Sequence, residues 1–374
     1  MNFLESSLDD WKNPDFWEKL LGGPLTGAVE HETENDSSKG ASPASYTADL
    51  RNHGFARVQD RIPEALRSKL QTILERLDQH GYPATFCLLS DATWQLADWS
   101  QQHCLPNDLS FNYDTLAWCI HDHGFAPHRD RQPEDAAATF SPEGDPHLVT
   151  HWIALTDATP QSSCLYVIPK EHDPGYTAGD TEDEDPLTRA LPTKESYQYL
   201  QALPCPAGAS LVFSHRLIHW GSARTSSSSQ PPRMALSLVA SDPSYEAPYL
   251  AHTPKDLTTR LLLVCAQLLL YHERFGFSSK VLRQCHAYVQ EHQHLLHEAY
   301  RRKVLVEFVN AMKEVNAMKE VDGDEDGEDD AMMEAMLDAE EGGYGEFSDD
   351  FDELEEFEVS NQKRRKTDNG SDDA

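Results

Sequence analysis

The sequence predicts a mainly β fold with helices before and after the β region. Between about residues 114 and 241, short apolar segments rich in β-branched and aromatic residues alternate with clusters of Pro, Gly and Ser. A helical periodicity precedes this region, and no Pro occurs after Pro254. The connections between the apolar segments are too irregular and Pro-rich for repeated βαβ units. An all-β sandwich or barrel is therefore expected.

The N-terminal part is predicted to contain one short helix and a linker. Residues 16–21 form an amphipathic segment that ends at Gly22-Gly23-Pro24, where a helix would stop. Residues 31–45 are polar and poor in apolar side chains, which is typical of a flexible linker. We therefore assign residues 1–45 to an N-terminal segment with a linker, and place the start of the globular body near Tyr46.

The first strong element of the body is a helix from about Pro63 to Gln79. Gly81 follows it, at a position typical of a helix end. Its apolar residues recur at the i, i+3, i+4 spacing of one helix face. They are Ile62, Leu66, Leu70, Ile73, Leu74 and Leu77.

The β region is predicted to contain five strands, and the chain after it becomes helical again. The strands are residues 116–120, 148–155, 164–169, 210–215 and 234–241. The two helical segments are predicted around residues 256–273 and 279–315. We therefore expect a β domain over residues 46–254 and a C-terminal helical extension over residues 255–321 that packs on the β core.

The charge is extreme and lies mostly in the C-terminal tail. The formal net charge is −33, and residues 321–358 contain 19 Asp and Glu and no Lys or Arg. We predict an acidic disordered tail over residues 322–374 that can bind a protein partner through its interspersed apolar residues. Residues 363–366 form a basic tetrad, which is either a nuclear address or a group of solvated charges.

Composition excludes several classes of protein. The acidic body lacks the clustered Lys and Arg that nucleic-acid phosphates or anionic membranes require. The longest apolar run, residues 261–271, is too short to span a bilayer. Seven scattered Cys without paired spacing indicate reduced thiols rather than disulfides. We expect a soluble intracellular protein, cytoplasmic or, if the tetrad works as an address, nuclear.

The candidate chemistry centres on Pro127-His128-Arg129-Asp130. Side chains alternate along an extended strand, so His128 and Asp130 would point to the same side. A third ligand can come from His215 or His219 in the downstream run of residues 215–222. Two His and one carboxylate on one face of a metal, with positions left open, are typical of non-heme Fe(II) oxygenases.

Arg233 adds a second clue at the start of the last predicted strand. A guanidinium inside a half-buried β structure needs a carboxylate partner. That partner can be the distal carboxylate of 2-oxoglutarate, or an Asp or Glu of the protein in a structural salt bridge. From the sequence both interpretations stay open.

These segments resemble the phytanoyl-CoA dioxygenase family of Fe(II)- and 2-oxoglutarate-dependent oxygenases. The resemblance covers roughly residues 46–245 and includes an opening strand and helix in residues 53–74. It rests on the order and spacing of five motifs, which are HRD (128–130), HWIALTDAT (151–159), SSCLYVIPKEHDPG (162–175), PAGASLVFSHRLIHWGS (206–222) and PPRMALSL (231–238). It implies a double-stranded β-helix core, also called a jelly roll or cupin-like fold.

The resemblance also implies roles for individual residues. His128, Asp130 and His219 would hold Fe(II), and Arg233 and Ser222 would bind 2-oxoglutarate. Trp152 would line the pocket, with plain core packing as the alternative. His215, on the same predicted face as His219, would either orient a ligand or compete with it.

Three departures from the family pattern concern the same region. Trp220 lies between the distal His and the usual Gly-Ser, and the usual Gly-Asp turn reads Gly208-Ala209. An insertion at residues 226–232 lengthens the distance from His219 to Arg233. None of them removes a ligand, but the longer loop leaves the role of Ser222 open.

The implied activity is hydroxylation of a small organic substrate with O2, releasing succinate and CO2 and requiring no catalytic residue beyond the metal site. Two loops, residues 132–147 and 171–197, are expected to frame the pocket. The acidic run at 181–185 either favours a small alcohol, an amine, an amino acid or a cationic peptide as substrate, or is a solvated loop without a role in binding. The alternatives are a non-catalytic scaffold that acts through its acidic tail and a nuclear protein hydroxylase.

Overall fold

The computed structural model divides the chain into two compact units, Met1–Ala311 and Met312–Ala374. It describes residues 3–27, 29, 44–58, 60–106, 108–121, 124–133, 135–181, 185–225, 231–250, 252–275 and 277–322. Most of the predicted linker, the acidic run at 182–184, part of the insertion at 226–230 and the tail from residue 323, with its basic tetrad, lie outside the described residues.

Ten α-helices occur in the described part of the chain. They are α1 (Leu8–Lys12), α2 (Pro14–Leu21), α3 (Ala44–His53), α4 (Glu64–Gln79), α5 (Asp91–His103), α6 (Gly175–Ala178), α7 (Pro186–Ala190), α8 (Leu257–Leu270), α9 (Ser279–His292) and α10 (Glu298–Asp322). None of the described helices is both long enough and apolar enough to cross a membrane.

Nine strands of the described residues form two antiparallel sheets. They are β1 (Phe55–Val58), β2 (Ser110–Ile120), β3 (Phe125–His128), β4 (Leu148–Ala154), β5 (Leu165–Val167), β6 (Gln201–Leu203), β7 (Ser210–Ser214), β8 (His219–Gly221) and β9 (Arg233–Ser241). The larger sheet has the order β1-β7-β4-β9-β2, and the smaller sheet has the order β3-β8-β5-β6. Most neighbours in each sheet are distant in sequence, as in a jelly roll.

The two sheets enclose one of the hydrophobic cores. Its buried residues come from both sheets, for example Trp152 and Phe213 from the larger one and Leu165 and Leu203 from the smaller one. Side chains that interdigitate between two antiparallel sheets are the defining feature of a sandwich. Together with the flanking helices, this arrangement confirms the predicted mainly β fold with a jelly-roll core.

Residues near the N-terminus pack into the same compact unit. Trp11 and Trp17 are fully buried and stack with Phe3, Tyr82 and Phe86 around the end of α4. The indole nitrogens of Trp11 and Trp17 donate hydrogen bonds to Ser6 and to the backbone of Trp11. The N-terminal segment therefore contributes to the core of the fold, although the sequence offered only a short amphipathic helix. The division of the chain into four domains stays a prediction.

The first predicted helix and the five predicted strands are present in the structure, whereas one long predicted helix is divided into two. The helix predicted at 63–79 is α4, and each of the five predicted strands lies within or overlaps an observed strand. The helix predicted over 279–315 is wrong as one element, because α9 ends at His292 and α10 begins at Glu298. Between them Leu296 pairs with Leu250, and the amide of His297 donates to the carbonyl of Tyr249, which draws the chain out of the helical path.

The close approach of β3 and β8 positions the candidate site. His128 lies directly opposite His219 in this pair, and Phe125 lies opposite Gly221. Gly124 precedes β3, where a Cβ atom would lie 2.0 Å from the backbone oxygen of Gly221. Only glycine allows this approach, which brings the two predicted His ligands together.

Candidate metal centre

His128, Asp130 and His219 meet at one point. Each offers a ligand atom, and these three atoms lie within 4.8 Å of one another. The two imidazole rings are 4.4 Å apart between centroids. The Nε2 atoms of His128 and His219 lie 3.6 Å and 3.5 Å from the same oxygen, Oδ1 of Asp130. The register of β3 and β8 supplies the two His, and the extended backbone after β3 supplies Asp130.

Both imidazoles are held in the tautomer that a metal ligand requires. Nδ1 of His128 lies 2.8 Å from the carbonyl oxygen of Ala126, and Nδ1 of His219 lies 3.0 Å from that of Leu217. A carbonyl oxygen can only accept, so each Nδ1 carries a proton and Nε2 is the nitrogen left to bind a metal. Burial lowers the pKa of His219 to about 4, which keeps this ring neutral at physiological pH.

Asp130 is held as a carboxylate with one oxygen free to face the two imidazoles. Its Oδ2 accepts a hydrogen bond of 2.6 Å from the hydroxyl of Thr150 on β4. Burial raises the pKa of Asp130, but the neighbouring imidazoles and the Thr150 hydroxyl outweigh it and hold the pKa below its usual range. A carboxylate and two imidazoles form the donor set that suits Fe(II).

Arg233 is a buried cation without a carboxylate partner among the described residues. It is 1% exposed, and its Nη1 donates to the carbonyl of Ser163 at 3.1 Å, while its Nε has no hydrogen-bond partner. Burial lowers the pKa of Arg233 to about 10, which still leaves it charged at neutral pH. The structural salt bridge that the sequence left open is absent from the described part of the chain. An anionic ligand would complete the site.

Two serines also have buried hydroxyls without a hydrogen-bond partner of ordinary geometry. They are Ser222, which follows β8, and Ser163, whose carbonyl accepts from Arg233. Ser163 has a φ of 79°, an uncommon conformation for a residue other than glycine. A Cβ at Gly221, next to Ser222, would lie 3.3 Å from Nη1 of Arg233. Buried donors of this kind suit the carboxylate oxygens of a small ligand.

Trp152 and His215 occupy two different environments. Trp152 packs in the core between the sheets, and the guanidinium carbon of Arg233 lies 5.4 Å from the centre of its ring. His215 is buried, its Nδ1 lies 2.8 Å from the carbonyl oxygen of Leu148, and it does not belong to the group of three ligand atoms. The geometry therefore favours His219 over His215 as the third ligand.

The role of Arg129 was not predicted from the sequence. Its side chain points away from the ligands and forms ion pairs of 2.5 Å with Asp173 and 2.7 Å with Asp180. It also donates to the backbone carbonyl of Arg216, in the connection between β7 and β8. The charged middle residue of the HRD motif could have indicated this role. An Arg between two inward-facing residues projects to the opposite face of the strand, where a buried guanidinium needs carboxylate partners.

Replacing Thr150 with Val should weaken metal binding without removing a ligand. The change is nearly isosteric and deletes only the hydroxyl that holds Asp130. Losing an outer hydrogen bond of this kind costs roughly 10- to 100-fold in metal affinity. Anaerobic calorimetric titration with Fe(II) measures it. Thr139→Val, a buried Thr whose hydroxyl donates to the carbonyl of Ala136, is the control. Equal affinity in Thr150→Val and wild type would show that Thr150 does not orient the ligand.

Comparison with known proteins identifies the family of the chain. The family model described as phytanoyl-CoA dioxygenase (PhyH) matches residues 42–235. No curated protein sequence matches the chain. Three similar solved structures are the non-heme α-ketoglutarate-dependent epimerase SnoN from nogalamycin biosynthesis, EctD from S. alaskensis with 2-oxoglutarate and 5-hydroxyectoine, and HygX from Streptomyces hygroscopicus with nickel and 2-oxoglutarate.

The similarity to these structures is low. SnoN is 20% identical over 54% of this chain and 80% of its own, with a TM-score of 0.39. EctD is 17% identical over 59% and 82%, with a TM-score of 0.37. HygX is 15% identical over 53% and 86%, with a TM-score of 0.39. Values in this range say nothing about the substrate of the present chain.

Proposed function

The chain belongs to the phytanoyl-CoA dioxygenase family, and we propose that it hydroxylates a small organic substrate in a reaction that requires Fe(II), 2-oxoglutarate and O2. The observation that carries the proposal is the pairing of two features. His128, Asp130 and His219 converge as neutral and anionic ligands, and the buried Arg233 has no carboxylate partner among the described residues. Neither feature has an evident structural purpose without a metal and an anionic co-substrate.

Different residues of the chain would bind the metal and the co-substrate. His128, Asp130 and His219 would hold Fe(II) and leave its other positions open. Arg233 would bind the distal carboxylate of 2-oxoglutarate, with Ser222 and Ser163 as further hydroxyl donors. When bound, Fe(II) and 2-oxoglutarate supply the oxidation, in which O2, 2-oxoglutarate and a substrate C–H group give succinate, CO2 and a C–OH group.

Residues around the site would exclude water from it and fix the orientation of a ligand. The ring of Trp152 lies beside the guanidinium of Arg233 and, with the core between the sheets, excludes water from that side. Thr150 fixes the orientation of Asp130. No general acid or base of the protein is required, because the co-substrate and O2 provide the oxidising equivalents.

Asp130→Ala tests the metal site. We expect it to abolish both the thermal stabilisation by Fe(II) and the decarboxylation of 2-oxoglutarate that proceeds without substrate. Succinate is measured by NMR after anaerobic loading with Fe(II) and admission of O2. The control is Asp49→Ala, which removes an exposed carboxylate on α3. A wild-type protein that forms no succinate and is not stabilised by Fe(II) with 2-oxoglutarate would exclude the proposed activity.

Arg233→Gln separates the co-substrate role from a structural one. We expect metal affinity to be retained and the dissociation constant for 2-oxoglutarate to rise roughly 10- to 100-fold, because a charge-assisted contact is lost. Without 2-oxoglutarate the variant should unfold at the temperature of the wild type or above it, since an unpaired buried charge has been removed. Thermal unfolding with and without 2-oxoglutarate measures both effects, with the exposed Arg57→Gln as control. A variant that is less stable without ligand and equally stabilised by 2-oxoglutarate would show a structural role only.

We further propose a cytoplasmic location and a protein partner for the acidic tail, residues 322–374. A reporter fused to these residues should remain cytoplasmic. Nuclear accumulation that disappears when residues 363–366 are replaced by Ala would overturn this location and favour the nuclear address.

A further inference from the structure

One wall of the space around the metal centre is formed by β2. In the pairing of β2 with β9, Ile120 lies opposite Arg233, Trp118 opposite Ala235, and Leu116 opposite Ser237. Directly paired residues of antiparallel strands project from the same face of the sheet. Trp118 and Leu116 therefore share the inward face with Arg233. Both are partly exposed, whereas all of β9 is buried.

An aromatic pair lies across the gap between the two sheets at this point. The ring of Trp118 meets that of Phe125 on β3 edge to face, with 4.4 Å between centroids. Phe125 in turn lies opposite Gly221, two residues along β8 from His219. The partly exposed pair thus lies beside the two strands that carry His128 and His219.

Arg274 lies over this aromatic pair. It belongs to the single 3-10 turn, His272–Arg274, that follows α8. Its guanidinium carbon is 4.8 Å from the ring centre of Trp118, 5.7 Å from that of Phe125 and 4.9 Å from that of Tyr271. These distances are within the range of cation–π contact. Three rings hold the guanidinium at the rim, and it remains exposed to solvent.

Arg274 has no acidic partner in the described part of the chain. By contrast, Arg129, Arg131 and Arg260 all form ion pairs with carboxylates. An exposed guanidinium that has no ion pair among the described residues is available to bind an anion.

We propose that Arg274 binds an anionic group of the substrate while Trp118 and Phe125 contact its apolar part. This inference rests on the proposed function and names the substrate class, an organic carboxylate with an apolar body. A single planar guanidinium matches one carboxylate in a bidentate contact. The acidic run at 181–185 suggested neutral or cationic substrates from the sequence, but the described rim beside the ligands presents a cation over aromatic rings.

Binding of matched probes tests the proposal. The probes are 3-phenylpropionate, the alcohol 3-phenylpropanol, the amine 3-phenylpropylamine and the dianion 2-phenylethyl phosphate. The full chain is loaded with Zn(II), and saturating 2-oxoglutarate is added so that carboxylates cannot occupy the Arg233 site. Ligand-observed NMR then gives the affinities. We expect the wild type to bind the carboxylate about ten-fold or more tightly than the alcohol and the amine. A preference for the phosphate probe would overturn the proposed carboxylate class and indicate a phosphorylated substrate instead.

Variants identify the residue responsible. Arg274→Gln should remove the preference for the carboxylate over the alcohol. Arg274→Lys should keep part of it, since the charge remains but the planar fork is lost. Lys280→Gln, which removes an exposed cation at the start of α9, should change nothing. Thermal unfolding checks that each variant is folded.

Two results would overturn the role of Arg274. One is a wild type without any preference for an anionic probe, and the other is a folded Arg274→Gln that keeps that preference. Neither depends on catalysis. A wild type that fails to form succinate from 2-oxoglutarate would instead refute the proposed function, so the two failures are distinguishable.

Discussion

The geometry of the candidate centre depends on the buried ion pairs of Arg129. This residue lies between two of the three proposed ligands, and its side chain is 1% exposed. It contacts both Asp173 and Asp180 through paired hydrogen bonds and donates to the carbonyl of Arg216. The contacts join the HRD segment, the loop after β5 and the connection between β7 and β8. An extended chain that turns Arg129 outward must turn His128 and Asp130 inward.

The carboxylate of Asp180 also forms an ion pair with a second arginine. Arg216 is buried, lies 3.3 Å from Asp180 and donates to the carbonyls of Gly175 and Arg131. Two guanidiniums and two carboxylates thus neutralise each other beneath the metal centre. Removing one member would leave a buried charge uncompensated, which costs more stability than replacing the whole network by apolar residues. This network of buried ion pairs therefore holds the segment that carries the ligands in place.

The sequence predicted the parts of this protein whose signals are local. The face of α4 and the inward direction of His128 and Asp130 follow from residue spacing alone. The pairing of β3 with β8 did not follow, because the strands have four and three residues and lie about 90 residues apart along the chain. The partners of Arg129 are 44 and 51 residues away from it. Arg274 reaches its aromatic rings from a turn after α8, and only the folded chain reveals that contact.

The position of the two imidazoles in the smaller sheet gives the centre an inherent asymmetry. β8 lies between β3 and β5, whereas β3 is an edge strand with a single neighbour. The side chain of His219 is 8% exposed and that of His128 is 37% exposed. Edge strands open with a smaller free energy than central ones. Of the two imidazoles, that of His128 would therefore be the easier to detach from a bound ion, because its strand has one neighbour and its side chain is the more exposed.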